Sequence, residues 1–298
     1  MAADWAFSQL ERADVACPTS VDELAALVGE GRVPYAGGTD LLIRGLQGSG
    51  ALPPLVWTPS VATLRSVRHA NGVLEIGAAA SAGAVAGSAE VRRIAPAIAE
   101  AAGLIGSVQI RTTATVAGNV CNASPAADSV PALAVHGAAV LLRQGNSRRR
   151  LPLSDFAIGP GRNALRAGEF MEAIEVPGLD ERESSCYRRF TVRESMDLAF
   201  VGVGALVRLA PDGRTVERLS LALGAVGPTV EAAPAAAALL EGKEPTPELL
   251  RECGEVAALG CHPIDDLRAS AGYRRRLVVA LVRETVAIAL ERIHKGES

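Results

Sequence analysis

The chain has 298 residues, of which 49% are hydrophobic and 21% charged, and its formal net charge is −3. A chain of this size and composition is typical of a soluble globular protein with two domains and a large core. The slightly acidic charge and the 3% aromatic content argue against nucleic acid as a main partner, because nucleic-acid-binding proteins need basic surface and stacking side chains.

The sequence has no feature of a membrane or secreted protein. No apolar run approaches the ~20 residues that a membrane-spanning helix requires. The N-terminal segment, which contains Asp4 and Glu11, does not have the pattern of a signal peptide. We therefore expect a cytoplasmic protein without a membrane span.

The first predicted helix begins after Ser20, which forms a capping-box pattern with Glu23, and extends to Val28. The next segment, from residue 33 to 42, reads V-P-Y-A-G-G-T-D-L-L. Its apolar first part is predicted to be the end of a strand. Gly37 and Gly38 then permit a positive φ and the close approach of another group.

The residues after the double glycine favour a helix. Thr39 and Asp40 suit its first turn, and an apolar segment follows from Leu41. A strand, a double glycine and a helix start together form a geometry that binds phosphate. The segment is not a P-loop, because no lysine follows the second glycine.

Residues 57–177 are predicted to mix short strands with helices, after a boundary at Pro53 and Pro54. The predicted strands are Val73 to Ile76, Ala138 to Arg143 and Phe170 to Val176, and the predicted helices are Ala89 to Ala102 and Pro131 to Val135. Arg148, Arg149 and Arg150 follow a turn sequence, and we interpret them as part of a solvated hairpin or loop.

Residues 110–131 contain almost no long side chains and read I-R-T-T-A-T-V-A-G-N-V-C-N-A-S-P-A-A-D-S-V-P. We predict a loop whose backbone comes close to a bulky group and directs N–H and hydroxyl groups at an anion such as a phosphate. The alternative is a small-residue turn packed inside the protein.

The rest of the chain is predicted to form a second domain after a polar linker from Gly178 to Ser185. Its predicted strands lie around Ala199 to Leu209 and Val216 to Ala225, and its predicted helices lie near Ala233 to Leu240, Pro247 to Ala258 and Tyr273 to Ile293.

The cysteines and histidines do not indicate a metal site. The five cysteines, at positions 17, 121, 186, 253 and 261, are widely spaced and include no C-x-x-C pair. We therefore expect neither a disulfide framework nor a zinc or iron–sulfur site on this chain. None of the four histidines has metal-ligand spacing.

Four motifs in order resemble those of one family, the FAD-binding medium subunit of the molybdenum hydroxylases, which include carbon monoxide dehydrogenase and xanthine dehydrogenase. The A-G-G-T-D-L-L motif is present unchanged from Ala36 to Leu42. The T-x-G-G-N-x-x-x-A-S-P-x-x-D motif is similar to the segment from Thr115 to Asp128. Arg189 to Asp197 and Asp265 to Arg275 resemble two further motifs of the family.

The resemblance implies an α+β fold with a two-subdomain FAD-binding domain of the PCMH/vanillyl-alcohol-oxidase-like type at 1–177, divided at about residue 56. A C-terminal domain of a small antiparallel sheet and helices would occupy 183–298. It also implies non-covalently bound FAD, and partner subunits that carry molybdopterin and [2Fe–2S] clusters. The expected assembly is a dimer of heterotrimers that passes electrons through FAD to NAD, a quinone or O₂.

The resemblance also implies which residues contact the cofactor. No side chain of this chain is expected to act as acid, base or nucleophile, because the flavin is the chemical agent. Asp128 suits a flavin sugar hydroxyl, since a carboxylate accepts O–H donors. The predicted contacts are Val33, Tyr35, Ala36, Gly37, Gly38, Thr39, Asp40, Leu41, Thr115, Ala117, Gly118, Asn119, Ser124, Asp128, Leu165 and Arg189.

Two of these residues depart from the family pattern. Arg189 stands where the resemblance implies a lysine beside the flavin, and a planar guanidinium is not equivalent to an ammonium. Ala117 stands where the family has glycine, which is unfavourable if the backbone there needs a positive φ. These departures motivate one alternative, a structural or assembly subunit that has lost FAD. A stand-alone flavin oxidase is a third possibility, for which the sequence offers no acid–base residues.

Overall fold

The computed structural model describes residues 13–47, 52–193 and 195–296. The N-terminal segment with Asp4 and Glu11 lies outside these residues. The strands are β1 (Val15–Ala16), β2 (Val33–Tyr35), β3 (Leu55–Trp57), β4 (Val67–Ala70), β5 (Val73–Gly77), β6 (Ala139–Gln144), β7 (Ser147–Pro152), β8 (Ala157–Gly159), β9 (Arg162–Asn163), β10 (Phe170–Pro177), β11 (Glu183–Phe190), β12 (Val201–Leu209), β13 (Val216–Gly224) and β14 (Glu231–Ala232).

The helices alternate with these strands in the first half of the chain and follow them in the second. They are α1 (Val21–Gly29), α2 (Leu41–Gln47), α3 (Ala82–Gly87), α4 (Ala89–Ile94), α5 (Pro96–Leu104), α6 (Val108–Arg111), α7 (Val116–Cys121), α8 (Ser129–Val135), α9 (Pro234–Leu240), α10 (Pro247–Leu259) and α11 (Ala271–Lys295). Within the described ranges, none of them is both long and apolar enough to cross a bilayer.

The N-terminal part is a three-stranded parallel sheet in the order β1–β3–β2. Helix α1 begins as the capping pattern predicts, because the Ser20 hydroxyl accepts the Glu23 N–H at 3.1 Å. The helix buries Leu24 and Val28 against Val56 of β3. Burial of such side chains stabilises this small sheet by about 1.5–3 kcal/mol each, which holds the end of β2 in place before the double glycine.

A five-stranded antiparallel sheet in the order β4–β5–β10–β6–β7 forms the next layer. Helices α3 to α8 contribute to the large core that packs against it. Strands β6 and β7 form the predicted solvated hairpin, in which Gly145 has a φ of 54°. Its arginines pair across the sheet with Glu172, Glu169 and Glu175 at 2.7 to 2.8 Å.

The second half of the chain contains a four-stranded antiparallel sheet in the order β11–β12–β13–β14. Helices α9, α10 and α11 share a core with this sheet. Helix α8 of the first half lies close to β12 and β13, since a Cβ added to Gly204 would lie 2.7 Å from the Pro131 carbonyl oxygen. The two-domain division at 177 and 183 stays a prediction.

Two predicted element boundaries were wrong, one within residues 89–102 and one at the predicted linker. The predicted helix Ala89 to Ala102 is two helices, because Ala95 has a non-helical backbone (φ −157°) before Pro96, where α5 starts. The predicted linker is too long at its C-terminal end. Glu183, Ser184 and Ser185 belong to β11 and are buried. Two of these side chains have partners, as buried polar groups usually do, since Glu183 accepts from Arg208 and the Ser185 hydroxyl accepts from the Ala97 N–H. The Ser184 hydroxyl has no hydrogen-bond partner among the described residues.

Charged groups connect the two halves of the chain. Glu100 of α5 accepts hydrogen bonds from the Tyr187 N–H at 2.8 Å, from Arg188 at 2.9 Å and from Arg292 of α11 at 2.5 Å. Burial raises the pKa of the Glu100 carboxyl, but these donors outweigh it and the net pKa is lowered. The ionised carboxylate therefore ties α5 to β11 and to the last helix.

Candidate functional site

A cavity of about 450 Å³ opens where β2 and α2 face α7. This volume is within the usual range for small-molecule and cofactor sites. Most of its lining is apolar or small, which suits a large ligand with a flat ring. The lining residues are Pro34, Tyr35, Ala36, Gly37, Gly38, Thr39, Asp40, Leu41, Arg44, Gly45, Leu52, Pro53, Thr58, Ala78, Ile105, Ala114, Thr115, Ala117, Gly118, Asn119, Cys121, Asn122, Leu165, Phe170 and Met171.

The first wall is the turn between β2 and α2. Gly38 has a φ of 67°, a conformation that favours glycine. A Cβ added to Gly37 would lie 2.2 Å from the Thr113 carbonyl oxygen, so this glycine permits close contact between the two walls. The backbone N–H groups of residues 37 to 40 donate no hydrogen bond within the described part of the chain. They are therefore available to an anionic ligand.

The second wall is helical, which corrects the prediction of a loop. Thr115 caps α7, and its hydroxyl accepts the Gly118 N–H at 2.9 Å. Ala117 lies inside this helix, so its φ is not positive, and its side chain is 2% exposed. The alanine is therefore compatible with the backbone at this position. Asn119 faces the cavity and accepts a hydrogen bond from Ser129 at 2.6 Å.

A polar contact joins the two walls. The Asn122 side-chain amide donates to the Asp40 carboxylate at 3.3 Å. Asn122 was missed as a site residue, although it belongs to the small-residue segment that the sequence singled out. Arg44 was also missed, and its signal is its position one helical turn after Asp40.

The structure brings twelve of the sixteen predicted site residues to this cavity. They are Tyr35, Ala36, Gly37, Gly38, Thr39, Asp40, Leu41, Thr115, Ala117, Gly118, Asn119 and Leu165. The other four, Val33, Ser124, Asp128 and Arg189, do not line it. Apolar lining residues that the prediction did not include are Pro34, Leu52, Pro53, Ala78, Ile105, Ala114, Phe170 and Met171.

Asp128 and Arg189 form a buried ion pair beside the second wall. The Arg189 guanidinium donates to Asp128 Oδ2 at 2.5 Å, and the Tyr187 hydroxyl donates to Oδ1 at 2.8 Å. Burial raises the pKa of Asp128 to about 6, although Arg189 and Tyr187 act in the opposite direction. Burial and the Asp128 charge also raise the pKa of Tyr187, which keeps its hydroxyl protonated. The predicted contacts of Asp128 and Arg189 with a flavin stay predictions.

The described residues that line the cavity include no thiolate nucleophile and no metal site. Cys121 lines it, but burial raises the pKa of its thiol to about 12, so the thiol is protonated at neutral pH. Among the residues described by the structure, no group of three or more His, Cys, Asp or Glu side chains could hold a metal ion. Unpaired N–H donors at one wall and small or apolar groups elsewhere fit a cofactor that has both phosphates and an aromatic ring.

Comparison with known families defines the class of protein. The family described as the FAD binding domain in molybdopterin dehydrogenase matches residues 9–179, which is more than half of the chain. The family described as the CO dehydrogenase flavoprotein C-terminal domain matches residues 185–289. The chain belongs to the family of FAD-binding flavoprotein subunits of molybdopterin dehydrogenases, and is thus an oxidoreductase subunit with FAD as its cofactor.

Individual relatives cover nearly the whole chain. The carbon monoxide dehydrogenase medium chain of Hydrogenophaga pseudoflava is 29% identical over 279 residues, 92% of this chain and 96% of the relative. The xanthine dehydrogenase FAD-binding subunit of Escherichia coli O157:H7 is 28% identical over 257 residues, 86% of this chain and 87% of the relative.

Solved structures agree in fold. A chain of the carbon monoxide dehydrogenase from Hydrogenophaga pseudoflava, in a form that lacks the Mo-pyranopterin moiety, superposes with a TM-score of 0.87 at 29% identity. The match covers 94% of this chain and 98% of that chain. It confirms the predicted combination of a FAD-binding domain and a C-terminal domain with an antiparallel sheet and helices.

Proposed function

We propose that this chain is the electron-transfer subunit of a molybdenum-dependent hydroxylase or dehydrogenase. Electrons from [2Fe–2S] clusters of a partner subunit would pass through its flavin site to an external acceptor, which is NAD, a quinone or O₂. When bound, FAD supplies the reversible one- and two-electron chemistry that the side chains lack. The observation that carries this proposal is the cavity between the two glycine-containing walls in a chain of this family.

The residues of the chain bind and orient the cofactor in this proposal. The unpaired N–H groups of residues 37 to 40 bind the pyrophosphate, because fixed backbone donors suit its charge. Leu165 packs against the ring, and Phe170 and Met171 extend the apolar surface of the cavity. Contacts of Val33, Ser124, Asp128 and Arg189 with the flavin stay part of the proposal, although these residues do not line the cavity. Binding is non-covalent, since the Cys121 thiol is protonated and no histidine is among the described lining residues.

The partners that we propose follow from the names of the relatives. One relative is the medium chain of carbon monoxide dehydrogenase and another is the FAD-binding subunit of xanthine dehydrogenase. We propose a small iron–sulfur subunit and a large molybdopterin subunit, assembled with this chain as a cytoplasmic dimer of heterotrimers. The substrate would bind to the large subunit.

Two measurements test the proposal. The purified chain should be yellow, and acid precipitation should release FAD into the supernatant; a colourless chain with no thermal shift on addition of FAD would support a subunit without flavin. The complex co-expressed with its neighbouring reading frames should lose its flavin absorbance when substrate is added. The isolated chain should show no such reduction by an aldehyde or heteroaromatic substrate. Direct reduction at native-like rates would instead support a stand-alone oxidase.

A further inference from the structure

Arg44 is the only Arg, Lys or His among the described residues that line the cavity. It lies on α2, one turn after Asp40, and its backbone N–H donates to the Asp40 carbonyl oxygen at 3.0 Å. The Arg44 side chain is exposed and makes neither an ion pair nor a hydrogen bond with any residue that the structure describes. Most of the described arginines do have a carboxylate partner.

The acidic group nearest in sequence does not pair with Arg44. Asp40 is the only carboxylate among the described lining residues, and its Oδ1 accepts from Asn122 instead. The first wall therefore presents a guanidinium without a partner in the described chain, one helical turn after four N–H groups without acceptors. Both kinds of group are hydrogen-bond donors, so the wall is complementary to an anion with several oxygens.

The chemistry of a guanidinium indicates which part of the ligand it meets. Its planar set of N–H groups matches two oxygens of a phosphate, and it stays charged at every relevant pH. Riboflavin is uncharged at neutral pH and has no phosphate, whereas FAD has a pyrophosphate with two negative charges. A cation at this wall can therefore distinguish the dinucleotide from the free vitamin.

We propose that Arg44 binds the pyrophosphate of FAD and is a residue that determines selectivity for FAD over riboflavin. This proposal rests on the flavin-binding part of the proposed function. It assigns a ligand to a side chain outside the sequence motifs. Arg44 lines the cavity. Because its side chain has no described protein partner, the side chain is able to contact the ligand.

The test compares Arg44→Gln with Arg93→Gln in the full chain. Arg93 is exposed on α4, lies outside the cavity and has no described ion pair, so the control makes the same change in charge. We expect Arg44→Gln to raise the dissociation constant for FAD at least about tenfold, as loss of a charge-assisted hydrogen bond should. Arg44→Lys should recover part of the affinity, and Arg93→Gln should bind FAD like the original protein.

A second measurement separates loss of charge from loss of structure. Raising the salt concentration should weaken FAD binding to the original protein more steeply than binding to Arg44→Gln, while the affinity for riboflavin should be the same for both. The proposal is overturned if Arg44→Gln binds FAD as Arg93→Gln does. It is also overturned if the salt dependence is unchanged or if FAD and riboflavin lose affinity equally. If the original chain binds no FAD at all, the proposed function fails first.

Discussion

The cavity wall at residues 37 to 40 and the interface around Glu100 both contain several polar groups. They differ in whether these groups have hydrogen-bond partners within the protein. At the wall the backbone donors have no acceptor within the described chain. At the interface Glu100 receives three hydrogen bonds, and Asp128 receives two from Arg189 and Tyr187. The contrast indicates how binding and stability can be separated in one fold: donors without protein partners are available to a ligand, and paired donors hold the protein together.

The largest expected effect comes from removing the interface acceptor. Glu100→Ala would leave Arg188, Arg292 and the Tyr187 N–H without their shared partner. We expect a loss of about 3–5 kcal/mol in the free energy of unfolding, measured by urea denaturation. The FAD affinity of the folded protein should change little. Glu291→Ala, which breaks an exposed pair with Lys295, is the control and should be much less destabilising. If the two variants lost the same free energy of unfolding, Glu100 would contribute no more to stability than an exposed ion pair does.

The second effect concerns pH and Asp128. Its pKa in the folded protein is raised from the ordinary value of 3.8 to about 6, so the folded state holds a proton that the unfolded state has released. The proton uptake of Asp128 thus contributes at most about 3 kcal/mol to the free energy of unfolding. This contribution is fully present below about pH 4 and is lost as pH rises through 6. In Asp128→Asn the free energy of unfolding should no longer show this decrease between about pH 4 and pH 6. Other groups, including Glu100, titrate alike in both proteins, so superimposable pH profiles would contradict the assignment.

The third effect is at the place where the two walls touch. In Gly37→Ala the new Cβ would lie 2.2 Å from the Thr113 carbonyl oxygen, so the walls must separate. We expect a loss of stability of about 1–3 kcal/mol and weaker FAD binding, measured by denaturation and by fluorescence titration. Gly29→Ala adds the same methyl group at the end of α1, where nothing lies within 4 Å. If both variants behave like the original protein, the walls are not in close contact.

The smallest expected effect is on FAD binding and not on stability, which is the opposite of the result expected for Glu100→Ala. Thr39→Val keeps the shape of a side chain that lines the cavity but removes its hydroxyl. The free energy of unfolding should change by less than about 0.5 kcal/mol, whereas FAD binding should weaken by about 0.5–1.5 kcal/mol. A thermal melt without ligand and a titration with FAD measure the two quantities. A variant that is less stable but binds FAD normally would remove the distinction between the two regions.

Local rules were enough to predict the first wall. A strand end, a double glycine and a helix start depend on neighbouring residues, and the structure has all three between Val33 and Gln47. The helix at the second wall was missed, although Thr115 and Gly118 have the spacing of an N-cap and its bonded N–H. Small residues such as Ala117 suit a tight turn and a helix equally, so the composition did not decide between them.

Pairing between distant residues could not be predicted from the sequence. Asp128 and Arg189 are 61 positions apart, and each alone fits a flavin contact. Only the fold shows that they form an ion pair with each other. The same limit applies to Arg44, whose significance depends on what does not pair with it in three dimensions.

The hydrogen bond between Arg292 and Glu100 also affects how the protein is made. The two residues are 192 positions apart, and translation proceeds at about 5–20 residues per second. Glu100 therefore leaves the ribosome roughly 10–40 s before the last helix can close this bond. During that interval the N-terminal part of the chain lacks the contact between Arg292 and Glu100.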